Sequence, residues 1–135
     1  MIQSIQADIL VIGGGAAGIR AAIAARQLGR QVTMLSYSKI GRANNTAISF
    51  GGFAAALGQD NPEQHFKDTM NGGYRLNQPA LVRLLTEHVP DEVKSLETMG
   101  VHFQKNEDGT YIQVARGGHS VARRLMPRAR CRLTS

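Results

Sequence analysis

The chain has 135 residues, of which 42% are apolar, 15 are glycine and one, Cys131, is cysteine; that is room for one domain with a real core and is too apolar for disorder. A lone thiol excludes an intramolecular disulfide and makes a reducing compartment, the cytoplasm, the simplest home. The formal charge of +6 comes entirely from Arg116, Arg123, Arg124, Arg128, Arg130 and Arg132, because residues 1–115 balance ten basic against ten acidic groups, and a basic tail on a neutral body, with no binding module or aromatic platform, argues against a nucleic-acid partner.

The N-terminus lacks the basic region of a signal peptide, and its apolar run breaks into glycines almost at once. The longest uncharged apolar stretch, around Ala43 to Leu57, is threaded with Asn and Gly and predicts no membrane span. Residues Ala7 to Ile12 are apolar and rich in β-branched side chains, as in a buried parallel strand. The stretch AAGIRAAIAARQLG then predicts a helix with Gly29 as its stop, and QVTML from Gln31 to Leu35 predicts a second strand. A long polar connection follows from Ser36 to Gly52, and GFAAALG predicts a short helix. Asn61-Pro62 and Asn77-Gln78-Pro79 are helix starts, giving helices over 62–71 and 79–88 and a third from Pro90 to Met99. Val101 to Gln104 and Thr110 to Ala115, joined by an NEDG turn, predict a β-hairpin.

The pattern G-x-G-x-x-G occurs as Gly13-Gly14-Gly15-Ala16-Ala17-Gly18, between the first strand and the first helix. In such a turn the first glycine permits the sharp reversal, and the second lets backbone N–H groups approach a pyrophosphate. The third allows close packing of helix on strand. The helix N-terminus adds partial positive charge and unpaired donors. The acidic residue that usually holds an adenosine ribose is missing, since the second strand runs into Ser36 and no carboxylate lies between Asp8 and Asp60. A classical NAD site is therefore disfavoured. Two readings stay open from the residues alone: NADP, with Ser36 and Lys39 on its 2′-phosphate, or FAD held partly by the following loop.

The segment SKIGRANNTAISFGGFAAALG resembles the FAD-wrapping loop of fumarate reductase and succinate dehydrogenase flavoproteins and of L-aspartate oxidase. His65-x-x-Asp68-Thr69 with Gly72-Gly73, and the stretch MGVHFQKNEDGTYIQVARGGHSVAR, are similar to the same family, in unbroken order over roughly residues 5 to 124. The resemblance implies a Rossmann-like α/β FAD-binding domain with a parallel sheet, truncated relative to the full family, with some apolar faces lacking their cover. It implies FAD contacts from Ser36, Lys39, Asn45, Thr46, Gly51 and Gly52 beside the glycine turn. Asn45 stands where membrane-bound relatives carry a flavin-linked histidine, which implies non-covalent FAD. For the full-length family it implies hydride transfer between flavin and a dicarboxylate, and a partner redox subunit. The family's catalytic arginine falls beyond Ser135, so no catalytic residue is assigned here.

The remaining candidates are weaker. His119-Ser120 follows Gly117-Gly118, and a turn closed by His119 is favoured over a site residue. His65 and His88 are expected at the surface or boundary of helices, and His102 is expected to face solvent. No spacing supports a metal site. The organisation expected is an FAD-binding domain over residues 1–115 and a basic tail over 116–135. That tail is either a surface arm or, as its acid-free composition favours, the product of a frame shifted after about Leu125.

Overall fold

The structure is a computed structural model and describes residues 4–49 and 52–127. Cys131, Gly51, Arg128, Arg130 and Arg132 lie outside the described residues. The chain divides into two compact units, the first ending at Phe50 and the second beginning at Gly51.

In the first unit, β1 (Ile9–Ile12) pairs in parallel with β2 (Val32–Leu35), with Ile9 opposite Val32 and Ile12 opposite Leu35. Between them runs α1 (Ala16–Gln27), so the unit is the β–α–β motif expected. Alanine-rich sequence favours this helix, and its end is fixed at Gly29, whose φ is 75°. There the Arg30 N–H donates to Ala25 O at 3.0 Å and the Gly29 N–H to Arg26 O at 2.9 Å, the paired bonds of a Schellman stop. β1 is not buried as its composition predicts. Leu10 is 58% exposed and Ile12 76% exposed, because among the described residues the unit supplies only two strands, one twelve-residue helix and one four-residue helix to cover them. Val11, facing α1, is half-buried. The connection after β2 carries a four-residue helix, α2 (Asn45–Ile48), where a loop is expected.

In the second unit, β3 (Phe53–Ala54), β4 (Gln113–Val114) and β5 (Arg124–Leu125) form an antiparallel sheet with β5 in the centre. Helices α3 (Pro62–Gly72) and α4 (Pro79–Thr98) complete it. The core consists of Ala55, Val89, Val93, Phe103 and Leu125. The Phe103 ring lies edge-on to Phe53, with centroids 5.8 Å apart, and to Tyr111 at 6.3 Å, a geometry that aromatic quadrupoles favour.

Three expectations change here. GFAAALG is not a helix: Phe53 and Ala54 pair with Leu125 and Arg124, and the Ala55 N–H continues the ladder to Arg123 O at 3.1 Å. Alanine's helix propensity, a few tenths of a kcal/mol per residue against most others, loses to pairing that buries Ala55 and Ala56. The two helices expected on either side of Pro90 are one helix. Val82, Thr86, Val89 and Val93 are buried along a single face that runs through the proline. That shared packing outweighs the ~3 kcal/mol an interior proline costs. The hairpin turn forms, with the Asn106 N–H on Thr110 O and a bridge from Lys105 to Tyr111. Its first arm is not a strand, and the ladder partner of β4 is β5.

Candidate functional site

In the first unit the loop after β2 folds back on the glycine turn. The Gly41 N–H donates to Gly14 O at 2.9 Å, and Asn44 Nδ2 donates to the same oxygen at 3.1 Å. Asn44 also caps α2, its Oδ1 accepting from the Ala47 N–H at 3.0 Å. Thr46, on the first turn of α2, accepts at Oγ1 from the Ala16 N–H at 3.3 Å. The ladder is extended by the Gly13 N–H to Leu35 O at 2.8 Å. Two strands, a helix start and a long loop therefore converge on Gly13 to Ala16.

Each glycine has its own steric reason. Gly13 sits at φ 120°, a region that side chains rarely adopt. A Cβ on Gly18 would lie 2.0 Å from Gly13 O, so α1 can pack on the end of β1 only without one. A Cβ on Gly14 would meet Ser36 Oγ at 2.7 Å and Ile40 Cα at 3.1 Å. Gly15 differs, because a Cβ there would meet only Thr46 Oγ1, at 3.6 Å. The space over Gly15 is thus open beside the helix terminus. Gly15 caps α1 with no side-chain hydrogen bond, and no acid lies in the first turn, so the partial positive charge of the helix end is uncompensated there. The arrangement suits a phosphate group.

Of the residues singled out by sequence, Gly13, Gly14, Gly15, Ala16, Gly18, Ser36 and Thr46 come together in this unit, and Ala17 lies on the first turn of α1. Asn45 begins α2 and is exposed. Lys39 is exposed, and its carbonyl closes a turn with the Arg42 N–H at 3.0 Å. Gly52, at φ 93°, belongs to the second unit. Asn44 was missed by sequence reasoning. The signal was available: an Asn directly before a short Asn-Thr-Ala-Ile run is a helix cap.

The second unit holds a buried charged cluster. Arg123 and Leu125 are fully buried, although Arg123 is counted by composition with the basic tail. Its Nε and Nη2 reach the two oxygens of Asp60, and its Nη1 reaches Asp68 Oδ2. Burial opposes the guanidinium charge, but the two carboxylates more than offset it and raise the Arg123 pKa. Burial likewise pushes the Asp68 carboxyl up, yet Arg123, the Ser120 N–H and hydroxyl and Gln64 hold it well below the usual carboxylate range. Arg123 Nη1 also lies 3.1 Å from His119 Nδ1. The His119 ring is 5.5 Å from that of His65.

His65 is 2% exposed and not at the surface, since α3 turns this residue and Asp68 inward together, three positions apart. Among the described residues its Nδ1 is buried without a hydrogen-bond partner. Burial first, then Arg123 and His119, lower its pKa. His88 and His102 are exposed. Gly117-Gly118 form a turn with Gly118 at φ 86°. An open depression of about 540 Å³ is lined by Glu97, His102 and Lys105 and by none of the residues expected to hold the cofactor. Among the described residues no helix is long and apolar enough to cross a membrane, and no group of three His, Cys, Asp or Glu is placed to hold a metal.

Comparison with known proteins identifies the frame. The family model described as FAD binding domain matches residues 8–134. The fumarate reductase flavoprotein of Proteus vulgaris is 37% identical over 125 residues, covering 90% of this chain and 21% of that protein. L-aspartate oxidase of Streptomyces coelicolor is 36% identical over 117 residues, covering 86% and 20%. Among solved structures, an E. coli quinol fumarate reductase FrdA variant superposes with a TM-score of 0.84 at 35% identity, covering 92% of this chain and 22% of that one. Mycobacterium smegmatis Sdh1 superposes at 0.82 with 40% identity, covering 87% and 20%. The chain thus spans about a fifth of the length of these relatives. With the glycine turn open where a phosphate fits, and with this family match over most of its length, the chain belongs to the FAD-binding domain family of fumarate reductase/succinate dehydrogenase-type flavoproteins.

Proposed function

We propose that this chain is the FAD-binding portion of an oxidoreductase that transfers hydride between flavin and a dicarboxylate. The observation that carries the reading is the return of the Ser36–Ser49 loop onto the glycine turn, with Thr46 on the Ala16 N–H and Gly15 left open beside them. In this reading Gly13, Gly14, Gly15, Ala16, Ala17 and Gly18 form the pyrophosphate cradle. Ser36, Lys39, Asn45, Thr46, Gly51 and Gly52 supply the further contacts. FAD, when bound, supplies the hydride chemistry, and the chain holds and orients it. The exposed Asn45 amide offers no nucleophile for a flavin link, so the cofactor is held non-covalently. The names of relatives support the substrate class and a partner redox subunit, because they include fumarate reductases, L-aspartate oxidases and the flavoprotein of a succinate dehydrogenase. The single thiol supports a cytoplasmic location.

The test is an absorbance spectrum of the purified chain after incubation with FAD and desalting, taken before and after denaturation. A flavin band that is retained by the native chain and released on denaturation is the expected result. A chain that retains no flavin, or one that keeps it after denaturation, overturns the reading. Turnover of fumarate or succinate by the loaded chain then separates an active oxidoreductase from a flavin-binding module.

A further inference from the structure

Gly14 is buried, and its carbonyl oxygen takes two donors from the loop after β2, the Gly41 N–H at 2.9 Å and Asn44 Nδ2 at 3.1 Å. Both hydrogens of the Asn44 amide are used, since Nδ2 also donates to Arg42 O at 3.1 Å, and Oδ1 accepts from the Ala47 N–H at 3.0 Å. The amide therefore fits only one way round. Turned over, it would set Oδ1 against two carbonyl oxygens and Nδ2 against an N–H. The peptide between Gly14 and Gly15 is trans and planar, so its N–H points opposite to its carbonyl. With the oxygen held by the loop, the Gly15 N–H faces away from the loop, and among the described residues no acceptor meets it. Its neighbour, the Ala16 N–H, is already taken by Thr46 Oγ1. The residues on either side do not fix this peptide plane. Flipping it changes ψ of Gly14 and φ of Gly15, and glycine at both positions tolerates the values on either side of the flip. The two loop donors thus decide whether a donor or an oxygen is presented outward.

We propose that Asn44 is a positioning residue: by holding the Gly14 oxygen it turns the Gly15 N–H outward, as a donor to a phosphate oxygen of the bound cofactor. The inference rests on the proposed FAD reading for the identity of that phosphate. A backbone N–H already aimed at the anion needs no reordering when the anion arrives, whereas a carbonyl oxygen in its place would repel the same charge. Asn44 does this from a fixed point, because the same side chain caps α2 and so ties the far end of the loop to the turn. The Gly41 N–H shares the work, so losing the Asn44 donor weakens the lock without abolishing it.

The first test needs no cofactor. In NMR of the purified chain the side-chain amide protons of Asn44 should exchange with water more slowly than those of the exposed Asn71; equal rates overturn the lock. The second test titrates inorganic pyrophosphate and follows the backbone amides. The Gly15 N–H resonance is expected to move downfield to saturation, and a resonance that stays in place overturns its role as the donor. The third test is substitution. Asn44→Asp keeps an oxygen for the Ala47 N–H but loses the donor to Gly14 O, while Asn44→Ala loses cap and donor without adding charge. Pyrophosphate should bind both variants about three- to tenfold more weakly than the parent, the worth of one neutral hydrogen bond. Loss in Asn44→Ala alone would mean that Asn44 only caps α2. Loss in Asn44→Asp alone would mean that only the added charge matters, and loss in neither that the plane holds itself; each of these overturns the inference. Unchanged β1 and β2 amide resonances in both variants verify that the unit stays folded. FAD is titrated last. A chain whose Gly15 N–H responds to pyrophosphate but which takes up no FAD overturns the proposed function and leaves the role of Asn44 standing. A chain that retains FAD with no response at Gly15 overturns the role of Asn44 alone.

Discussion

Two glycines of the same turn should fail in opposite ways when given a methyl group. In Gly18→Ala the new Cβ lies 2.0 Å from Gly13 O and 3.1 Å from Gly13 C, both backbone atoms, and 3.4 Å from Val11 Cγ1. A carbonyl oxygen cannot rotate aside as a side chain can, so α1 must move off β1 by about 1 Å to restore ordinary contact. Overpacking of this kind costs about 1–3 kcal/mol, which shifts a urea midpoint by about 1 M for a slope near 2 kcal/mol/M. Gly15→Ala meets only Thr46 Oγ1 at 3.6 Å, and its φ of −85° suits alanine. Its cost to stability should stay within about 1 kcal/mol, that of a poorer helix cap. The methyl would, however, fill the space over the helix terminus where a pyrophosphate is expected to approach. FAD affinity should fall at least about tenfold, equivalent to ~1.4 kcal/mol. Urea unfolding followed by circular dichroism measures the first effect, and flavin fluorescence titration the second. If Gly18→Ala unfolds with the parent, or if Gly15→Ala binds FAD as the parent does, the steric assignment of the turn is wrong.

Three further predictions concern the rest of the chain. Arg123→Met leaves Asp60 and Asp68 without their buried cation and should destabilise the second unit by about 3–5 kcal/mol in urea unfolding; a loss below ~1 kcal/mol would mean that the cluster is solvated. Because the His65 pKa is lowered in the folded chain by burial, then Arg123 and His119, against the smaller raising effect of Asp60 and Asp68, the unfolded chain takes up its proton first. Stability is then fully present above a pH of about 6.5 and falls as pH drops from there towards the folded value. His65→Gln should flatten that part of the stability profile, and an unchanged slope between the two chains would refute the assignment. Asn61→Ala removes the cap in which Asn61 Oδ1 accepts from the Gln64 N–H at 2.7 Å and should cost about 1 kcal/mol, read as a lower thermal midpoint.

Periodicity, punctuation and the glycine pattern determined the β–α–β unit, the ends of α1 and α3 and the place of the glycine turn between β1 and α1. Those features are local: a strand of β-branched residues, an alanine-rich helix stopped at Gly29 and an Asn-Pro start at Asn61 each depend on a few adjacent residues. The resemblance of the Ser38 to Gly58 segment then separated FAD from NADP, a choice that charge and spacing left open. What only tertiary structure decided was long-range. Ala55 is extended because β5, some 70 residues later in the chain, pairs beside it. Pro90 lies inside a helix because the buried face from Val82 to Val93 continues through it. His65, expected at the surface or boundary of a helix, is buried because α3 turns it inward with Asp68, and Arg123, counted with the basic tail, is buried because Asp60 and Asp68 meet its guanidinium. Charge at a sequence position does not reveal its partner; the fold supplied Asp60 and Asp68, and with them the desolvated pairing that makes an interior arginine stable.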